Sequence, residues 1–89
     1  MNLTDTITFM TSDNYKDRFY AEYWQIKIRY EKLQKMIDKY SAGKLDFTPS
    51  CSIDLLEHQA SIMGQYLYDL EARAKIENVV LDALETIQN

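Results

Sequence analysis

The spacing of apolar residues predicts two long amphipathic helices. In residues 15–40 the apolar positions recur at alternating steps of four and three, which places them on one narrow helical face. These positions are Phe19, Tyr23, Ile26, Tyr30, Leu33, Ile37 and Tyr40. A second row repeats the spacing at Ile53, Leu56, Ala60, Met63, Leu67, Leu70 and Ala74. Because the two rows can interlock, we predict an all-α fold built on an antiparallel two-helix hairpin.

The segment before the first helix, residues 1–12, is expected to form a short N-terminal arm, and residues 13–89 the helical hairpin domain. The arm alternates threonines with apolar residues, which fits a short strand, a helical turn or an ordered arm. Ile7, Phe9 and Met10 are expected to pack onto the helices or onto a neighbouring chain. The first helix then starts in a run of good N-cap residues, which are Ser12, Asp13 and Asn14.

Gly43 is a natural stop for the first helix, and Pro49 separates it from the second. Leu45 and Phe47, between them, are expected to pack over the end of the hairpin. Ser50 or Ser52 is expected to cap the second helix.

The second helix carries two further signals. Gly64 in mid-helix indicates the close approach of another backbone or of a ligand, since glycine costs helix stability there. The apolar pattern continues beyond Ala74, and the helix is expected to continue with it, with a bend or frayed point at Asn78. The continuing positions are Val80, Leu81, Leu84 and Ile87.

Composition narrows the function classes. At 89 residues the chain holds one domain at most, and its net charge of −4 argues against a general nucleic-acid binder. Basic residues outnumber acidic ones in residues 13–42 and the reverse holds in residues 50–89. This asymmetry favours pairing of the two helices, although solvated charged faces would explain it equally well.

The chain offers little for covalent or metal chemistry. Cys51 is the single cysteine, which excludes an internal disulfide and indicates a cytosolic setting. His58, the single histidine, lies too far along a helix to activate it. We expect no metal site and no cofactor. No membrane span or signal peptide is recognisable, so a cytoplasmic location is expected.

The predicted hairpin also carries apolar residues away from its buried rows. On the first helix these are Tyr20, Trp24 and Ile28, and on the second Leu55, Ile62, Tyr66 and Ile76. A small monomer rarely leaves such patches in water. We therefore expect a homo-oligomer, with Tyr20, Trp24, Ile28, Leu55 and Ile62 at the interface between copies.

The core of the chain, residues 15–79, resembles a known family. The most specific motif is LDFTPSC (residues 45–51) followed by LLxxQxxxMxxYLxxLExRAxIE (residues 55–77). These motifs resemble the helical-hairpin domain of small phage proteins that act as anti-CBASS and anti-Thoeris nucleotide sponges. The resemblance implies an oligomer that sequesters a cyclic nucleotide or a cyclic ADP-ribose-type immune signal without cleaving it, in the cytoplasm of the infected bacterium. The N-terminal arm and residues 82–89 lie outside it.

The resemblance also implies ligand-binding residues. Arg73, in the LExRA stretch near Tyr66, corresponds to a basic residue that meets ligand phosphates in the family. Its possible partners from the first helix and the loop are Lys27, Arg29, Tyr15, Arg18 and Thr48. Guanidinium groups suit phosphates and aromatic rings suit bases, so this chemistry fits a nucleotide pocket.

Two other functions remain open at this stage. A phage inhibitor, such as an anti-CRISPR protein, would block a bacterial defence nuclease by direct contact, and the acidic second helix could imitate nucleic-acid charge. The other function is that of a plain helical hairpin with a structural or assembly role. Enzymatic activity is not expected, because the sequence contains no nucleophile with its base and no glycine-rich phosphate loop.

Overall fold

The computed structural model describes residues 1–82, and within that range all regular structure is helical, without a strand. A 3-10 turn (Leu3–Thr6) leads directly into the short helix α1 (Ile7–Met10). The two long helices are α2 (Tyr15–Ser41) and α3 (Ile53–Glu77). The all-α prediction is confirmed, and of the alternatives for the arm the helical turn is the observed one.

The ends of the long helices follow local chemistry. The Asn14 side chain caps α2 by accepting from the Lys16 amide at 2.9 Å, and Ser52 caps α3 by accepting from the Leu55 amide at 3.2 Å. After α2 the chain turns at Gly43, whose φ of 70° favours glycine.

The predicted extension of α3 beyond Ala74 stops at Glu77, so its continuation to Val80 and Leu81 is wrong. Asn78 adopts a left-handed conformation with φ 58°, and the Val79 amide donates back to the Ala74 carbonyl at 2.9 Å. This closes the helix, because a left-handed residue satisfies the last carbonyls and redirects the chain. The other two predicted positions, Leu84 and Ile87, lie outside the described residues.

Helices α2 and α3 pack side by side in opposite directions. Side-chain contacts pair Glu22 with Tyr66 and Tyr30 with Gly64. Residue numbers therefore increase along α2 while the numbers of the facing residues decrease along α3. We call the end with the arm the arm end and the end with residues 42–52 the loop end. The main buried cluster lies at the arm end and consists of Phe19, Tyr23, Leu67, Leu70 and Ala74. Trp24, Ile26, Tyr30, Val79 and Leu81 pack against it.

The N-terminal arm covers the side of α2 that faces away from α3. Thr6 is fully buried, and its hydroxyl accepts from the Gln25 amide group at 3.1 Å. The Phe9 ring lies 4.8 Å from the Tyr20 ring, between centroids. Tyr20 is therefore only 6% exposed, which corrects the expectation that it faces outward. The arm of the same chain supplies the cover that we expected from another copy.

The loop end is packed more thinly. Phe47 is 55% exposed, so the expectation that it packs over the hairpin end is wrong, while Leu45 is half-buried. At Gly64 the approaching group is the Tyr30 ring, whose hydroxyl oxygen lies 3.4 Å from the position a Cβ would occupy. The group that approaches Gly64 is therefore an aromatic side chain rather than a backbone. Within residues 1–82 neither long helix has a stretch apolar and long enough to span a bilayer.

Candidate functional site

One edge of the hairpin is organised around Arg73. Its guanidinium lies over the Phe19 ring, 4.7 Å from the ring centroid, and its Nε donates to Glu77 at 2.8 Å. Helix geometry explains the second contact, because residues four apart lie on the same helical face. The ring of Phe19 is buried in the core, so it provides a fixed platform for the charged group. The Arg73 side chain stays 53% exposed.

Two tyrosines lie beside this arginine. The Tyr66 hydroxyl donates to Glu22 of α2, across the hairpin. The Tyr15 hydroxyl lies near the Glu77 carboxylate and helps to lower the pKa of Glu77. Both rings remain partly in water, at 38% exposure for Tyr66 and 47% for Tyr15. We call this set of six residues the arginine edge: Tyr15, Phe19, Glu22, Tyr66, Arg73 and Glu77.

The charges of the arginine edge are coupled. The hydrogen bond to Glu77 holds the pKa of Arg73 above its ordinary value, and the same bond lowers the pKa of Glu77. Arg73 therefore stays cationic, and it faces two carboxylates. An exposed ion pair of this kind contributes little stability, so an incoming phosphate can replace Glu77 on the guanidinium. The exposed tyrosine rings offer flat surfaces for a base.

The structure brings Arg73, Tyr66 and Tyr15 together, as three of the seven predicted ligand-binding residues. Arg18 lies one turn before Glu22 on α2, but its guanidinium donates to the Ser12 carbonyl at 2.8 Å and ties the arm to the helix. Arg29 lies two turns beyond Glu22 on the same side of α2, about 10 Å along the helix.

Two other predicted residues lie apart from Arg73 within one chain. Lys27 follows Tyr23 by one turn, so it lies on the other side of α2 from Arg29, since two helical steps turn a side chain by about 200°. Thr48 lies in the loop at the opposite end of α2, a helix of about 40 Å. These two residues can meet Arg73 only if it belongs to a different copy of the chain.

The opposite edge of the hairpin contains a cleft of about 550 Å³. We call it the tryptophan cleft, and its lining is Tyr23, Trp24, Glu71, Ala74, Lys75, Val79, Leu81 and Asp82. The Tyr23 hydroxyl donates to Glu71 at 2.9 Å, and the Trp24 indole donates to the Leu81 carbonyl at 2.8 Å. Burial and the neighbouring Glu71 raise the pKa of Tyr23 to about 12.

Sequence reasoning missed several residues of both edges. Glu77 could have been found, because it stands four residues after Arg73 on the same helix. Phe19 was predicted only as a core residue. No signal in the sequence indicates that its ring also lies under the Arg73 guanidinium. The pairing of Tyr23 with Glu71 joins residues 48 apart and needs the register of the hairpin.

The predicted interface residues differ in exposure. Leu55 and Ile62 on α3 are 55% and 51% exposed, so they lie on the open surface of the protomer. Trp24 and Ile28 on α2 are half-buried, and Tyr20 is buried beneath the arm. Of the five predicted interface residues, the two with open side chains therefore lie on α3. In residues 1–82 no three potential metal ligands among His, Cys, Asp and Glu converge.

The chain matches a known protein family. No curated protein and no solved structure matched the chain. A family model described as Sequestin matches residues 13–76. The matched range contains Tyr15, Phe19, Glu22, Tyr66 and Arg73, and it ends one residue before Glu77. Because the match spans well over half of the 89 residues, the chain belongs to the Sequestin family.

Proposed function

We propose that this protein sequesters a cyclic nucleotide or a cyclic ADP-ribose-type signal and releases it chemically unchanged. The observation that carries the proposal is the match to the Sequestin family over residues 13–76, whose name denotes sequestration. A phage protein of this kind, acting in the cytoplasm of the infected bacterium, would keep an immune signal from its effector. This agrees with the resemblance to anti-CBASS and anti-Thoeris sponges.

The arginine edge supplies the binding chemistry in this proposal. The Arg73 guanidinium exchanges Glu77 for a ligand phosphate, and Phe19 keeps the guanidinium oriented during the exchange. Tyr15 and Tyr66 present ring surfaces to a base or a ribose. The ligand is held by exchange of hydrogen bonds only, which fits sequestration without cleavage.

A complete pocket in this proposal needs a second copy of the chain. The arginine edge is open on the protomer, and the neighbouring surface of α3 exposes Leu55, Ile62 and Ile76. Burying these side chains between copies would remove apolar surface from water and close the edge. Lys27, Arg29, Arg18 and Thr48 of a neighbouring copy are then available as further contacts to phosphates.

The oligomer can be tested separately from the ligand. Light scattering after size-exclusion chromatography should give a mass above that of one chain at micromolar concentration. Ile62→Asp should shift it toward a monomer, because a charge at the centre of an apolar interface is costly. Tyr68→Asp, at an exposed position on another side of α3, is the matched control. A monomeric wild-type protein would remove the oligomer from the proposal.

The ligand is best sought with a thermal-shift panel of cyclic dinucleotides, cyclic trinucleotides and cyclic ADP-ribose isomers. One class should raise the unfolding temperature strongly, because a ligand that binds only the folded state stabilises it by mass action. That compound should be recovered intact after heat denaturation. Recovery of a cleaved compound would contradict sequestration.

Arg73 variants test the site itself. Arg73→Ala should abolish the shift, Arg73→Lys should restore only part of it, and Lys35→Ala on the exposed side of α2 should leave it intact. If no compound shifts the protein, the sponge is refuted and direct inhibition of a bacterial defence protein becomes the better proposal. Co-purification with a large bacterial partner would then identify the target.

A further inference from the structure

We infer that the tryptophan cleft is a second ligand site, distinct from the arginine edge, that takes the amino-bearing nucleobase of a mononucleotide. The cleft has a volume of about 550 Å³, which lies within the usual range for small-molecule sites. It lies between α2, α3 and the segment 79–82, whereas the arginine edge lies on the other side of the hairpin. The inference goes beyond the proposed function and does not depend on it.

An aromatic wall lines one side of the cleft. The rings of Tyr23 and Trp24 meet edge to face, with centroids 5.5 Å apart and planes at 89°. Both rings are anchored through their polar tips, Tyr23 by Glu71 at 2.9 Å and Trp24 by the Leu81 carbonyl at 2.8 Å. The Tyr20 ring, 6.4 Å from Trp24, supports the indole further. A wall held in this way binds a flat ring with little loss of side-chain entropy.

Three charged side chains surround that wall. Glu71 and Asp82 line the cleft with two carboxylates, and Lys75 contributes the positive charge among its lining residues. A carboxylate has about four acceptor positions, and Tyr23 uses one of those on Glu71. The free positions suit the amino and ring N–H donors of guanine and the amino groups of cytosine and adenine.

The same charges select against other ligands. Uracil places two carbonyl oxygens beside its single N–H, so the carboxylates repel it. Lys75 can bind one phosphate group. Because two carboxylates lie nearby, the cleft has a net negative charge and disfavours polyphosphates. The lining therefore fits a nucleoside or its monophosphate better than a nucleoside triphosphate.

The test uses the full chain and its single tryptophan. With ¹⁵N-labelled protein, the indole N–H resonance of Trp24 reports directly on the cleft. Guanosine 5′-monophosphate should shift it in a saturable way, and uridine 5′-monophosphate should bind about tenfold or more weakly, since one good base–side-chain pair is worth 1–3 kcal/mol. Absence of a saturable shift up to about 1 mM guanosine monophosphate, an affinity of about 4 kcal/mol, would overturn the inference.

Variants separate the cleft from the arginine edge. Glu71→Gln should weaken guanosine monophosphate about tenfold, while Glu57→Gln, the same change in the loop-end groove of α3, should retain binding. Lys75→Ala should weaken the monophosphate but not guanosine. Arg73→Ala should bind as the wild type does. If Arg73→Ala abolishes the indole shift and Glu71→Gln does not, the ligand binds at the arginine edge and the cleft site is refuted, while the proposed function stands.

Discussion

The two ends of the hairpin are built from the same repeating pattern but are packed differently. At the arm end, α2 and α3 enclose five buried side chains, the segment after Asn78 packs against them, and the arm covers the far side of α2. At the loop end the buried residues of the two helices are Ile37 and Ala60, and a polar groove of about 390 Å³ runs between the helices past Tyr30 and Gly64. The difference arises because the arm end has four chain segments to pack and the loop end has two.

This difference connects stability with the candidate sites. The arginine edge and the tryptophan cleft both lie at the arm end, against side chains that the core holds in place, such as Phe19 and Tyr23. A binding surface needs this support, because side chains that must be ordered at the moment of binding reduce affinity. The following predictions test the comparison in order of decreasing effect.

Removing a buried side chain from the arm end should have the largest effect. Leu70 is 1% exposed, and Leu70→Ala should lower the free energy of unfolding by about 3 kcal/mol through lost burial and a residual cavity. Leu56→Ala, at a half-buried position of the loop end, should cost roughly half as much. Urea unfolding at one fixed protein concentration measures both. Equal losses would show that the two ends are equally well packed.

The arm should contribute through Phe9. Phe9→Ala removes the ring that packs 4.8 Å from Tyr20 and should destabilise the protein by about 1–2 kcal/mol. Phe47→Ala is the matched control, because the Phe47 ring is 55% exposed, and its effect should stay within about 0.5 kcal/mol. The same urea titration compares them. A larger loss in Phe47→Ala than in Phe9→Ala would contradict the role assigned to the arm.

Ionisation of Tyr23 should lower the free energy of unfolding in the alkaline pH range. Its pKa is raised from 10.0 to about 12 by burial and by Glu71. The protonated hydroxyl is favoured in the folded state, so its stabilisation is complete below pH 10 and is lost as the pH rises to 12. Tyr23→Phe should cost about 1 kcal/mol at neutral pH and should reduce this alkaline loss.

The loop-end control for this prediction is Tyr30→Phe. It should keep the full alkaline loss of the wild type, because it leaves Tyr23 and Glu71 in place. Urea midpoints between pH 8 and 12 make the comparison. An undiminished alkaline loss in Tyr23→Phe would show that other groups cause it.

A substitution at the loop end should increase the stability of the protein. A Cβ on Gly64 would lie 3.4 Å from the Tyr30 hydroxyl oxygen and 3.6 Å from the ring, which is ordinary contact. Gly64→Ala should therefore raise the free energy of unfolding by about 0.5 kcal/mol, because alanine favours the helix. Gly43→Ala should instead destabilise by about 1 kcal/mol, since its φ is 70°. Destabilisation by Gly64→Ala would mean that the Tyr30 ring cannot move.

The sequence predicts what depends on neighbours along the chain. Most of the buried rows, the caps at Asn14 and Ser52 and the turn at Gly43 follow from helical periodicity or from backbone preferences. The end of α3 at Asn78 does not follow, because the apolar pattern continues beyond it. The helical form of the arm does not, because its alternating residues fit a strand equally well and its packing against Tyr20 decides the outcome.

The candidate sites divide in the same way. The family resemblance predicts Arg73. Its partner Glu77 was missed, although helical spacing makes it accessible from sequence. The Glu22–Tyr66 and Tyr23–Glu71 pairs join positions 44 and 48 apart, and they depend on the rotation and register of two packed helices. Periodicity identifies which face of a helix is buried, but it does not say which residue lies opposite.

The adjacent residues Glu22 and Tyr23 contact opposite edges of the hairpin, which has a consequence for insertions and deletions. One residue added to or removed from α2 on either side of this pair rotates the rest of the helix by about 100°. Such a change would move part of one edge toward the other while the sequence still read as a good amphipathic helix. Length variation among related proteins should therefore fall in residues 42–52, where the chain can absorb it without turning α2 relative to α3.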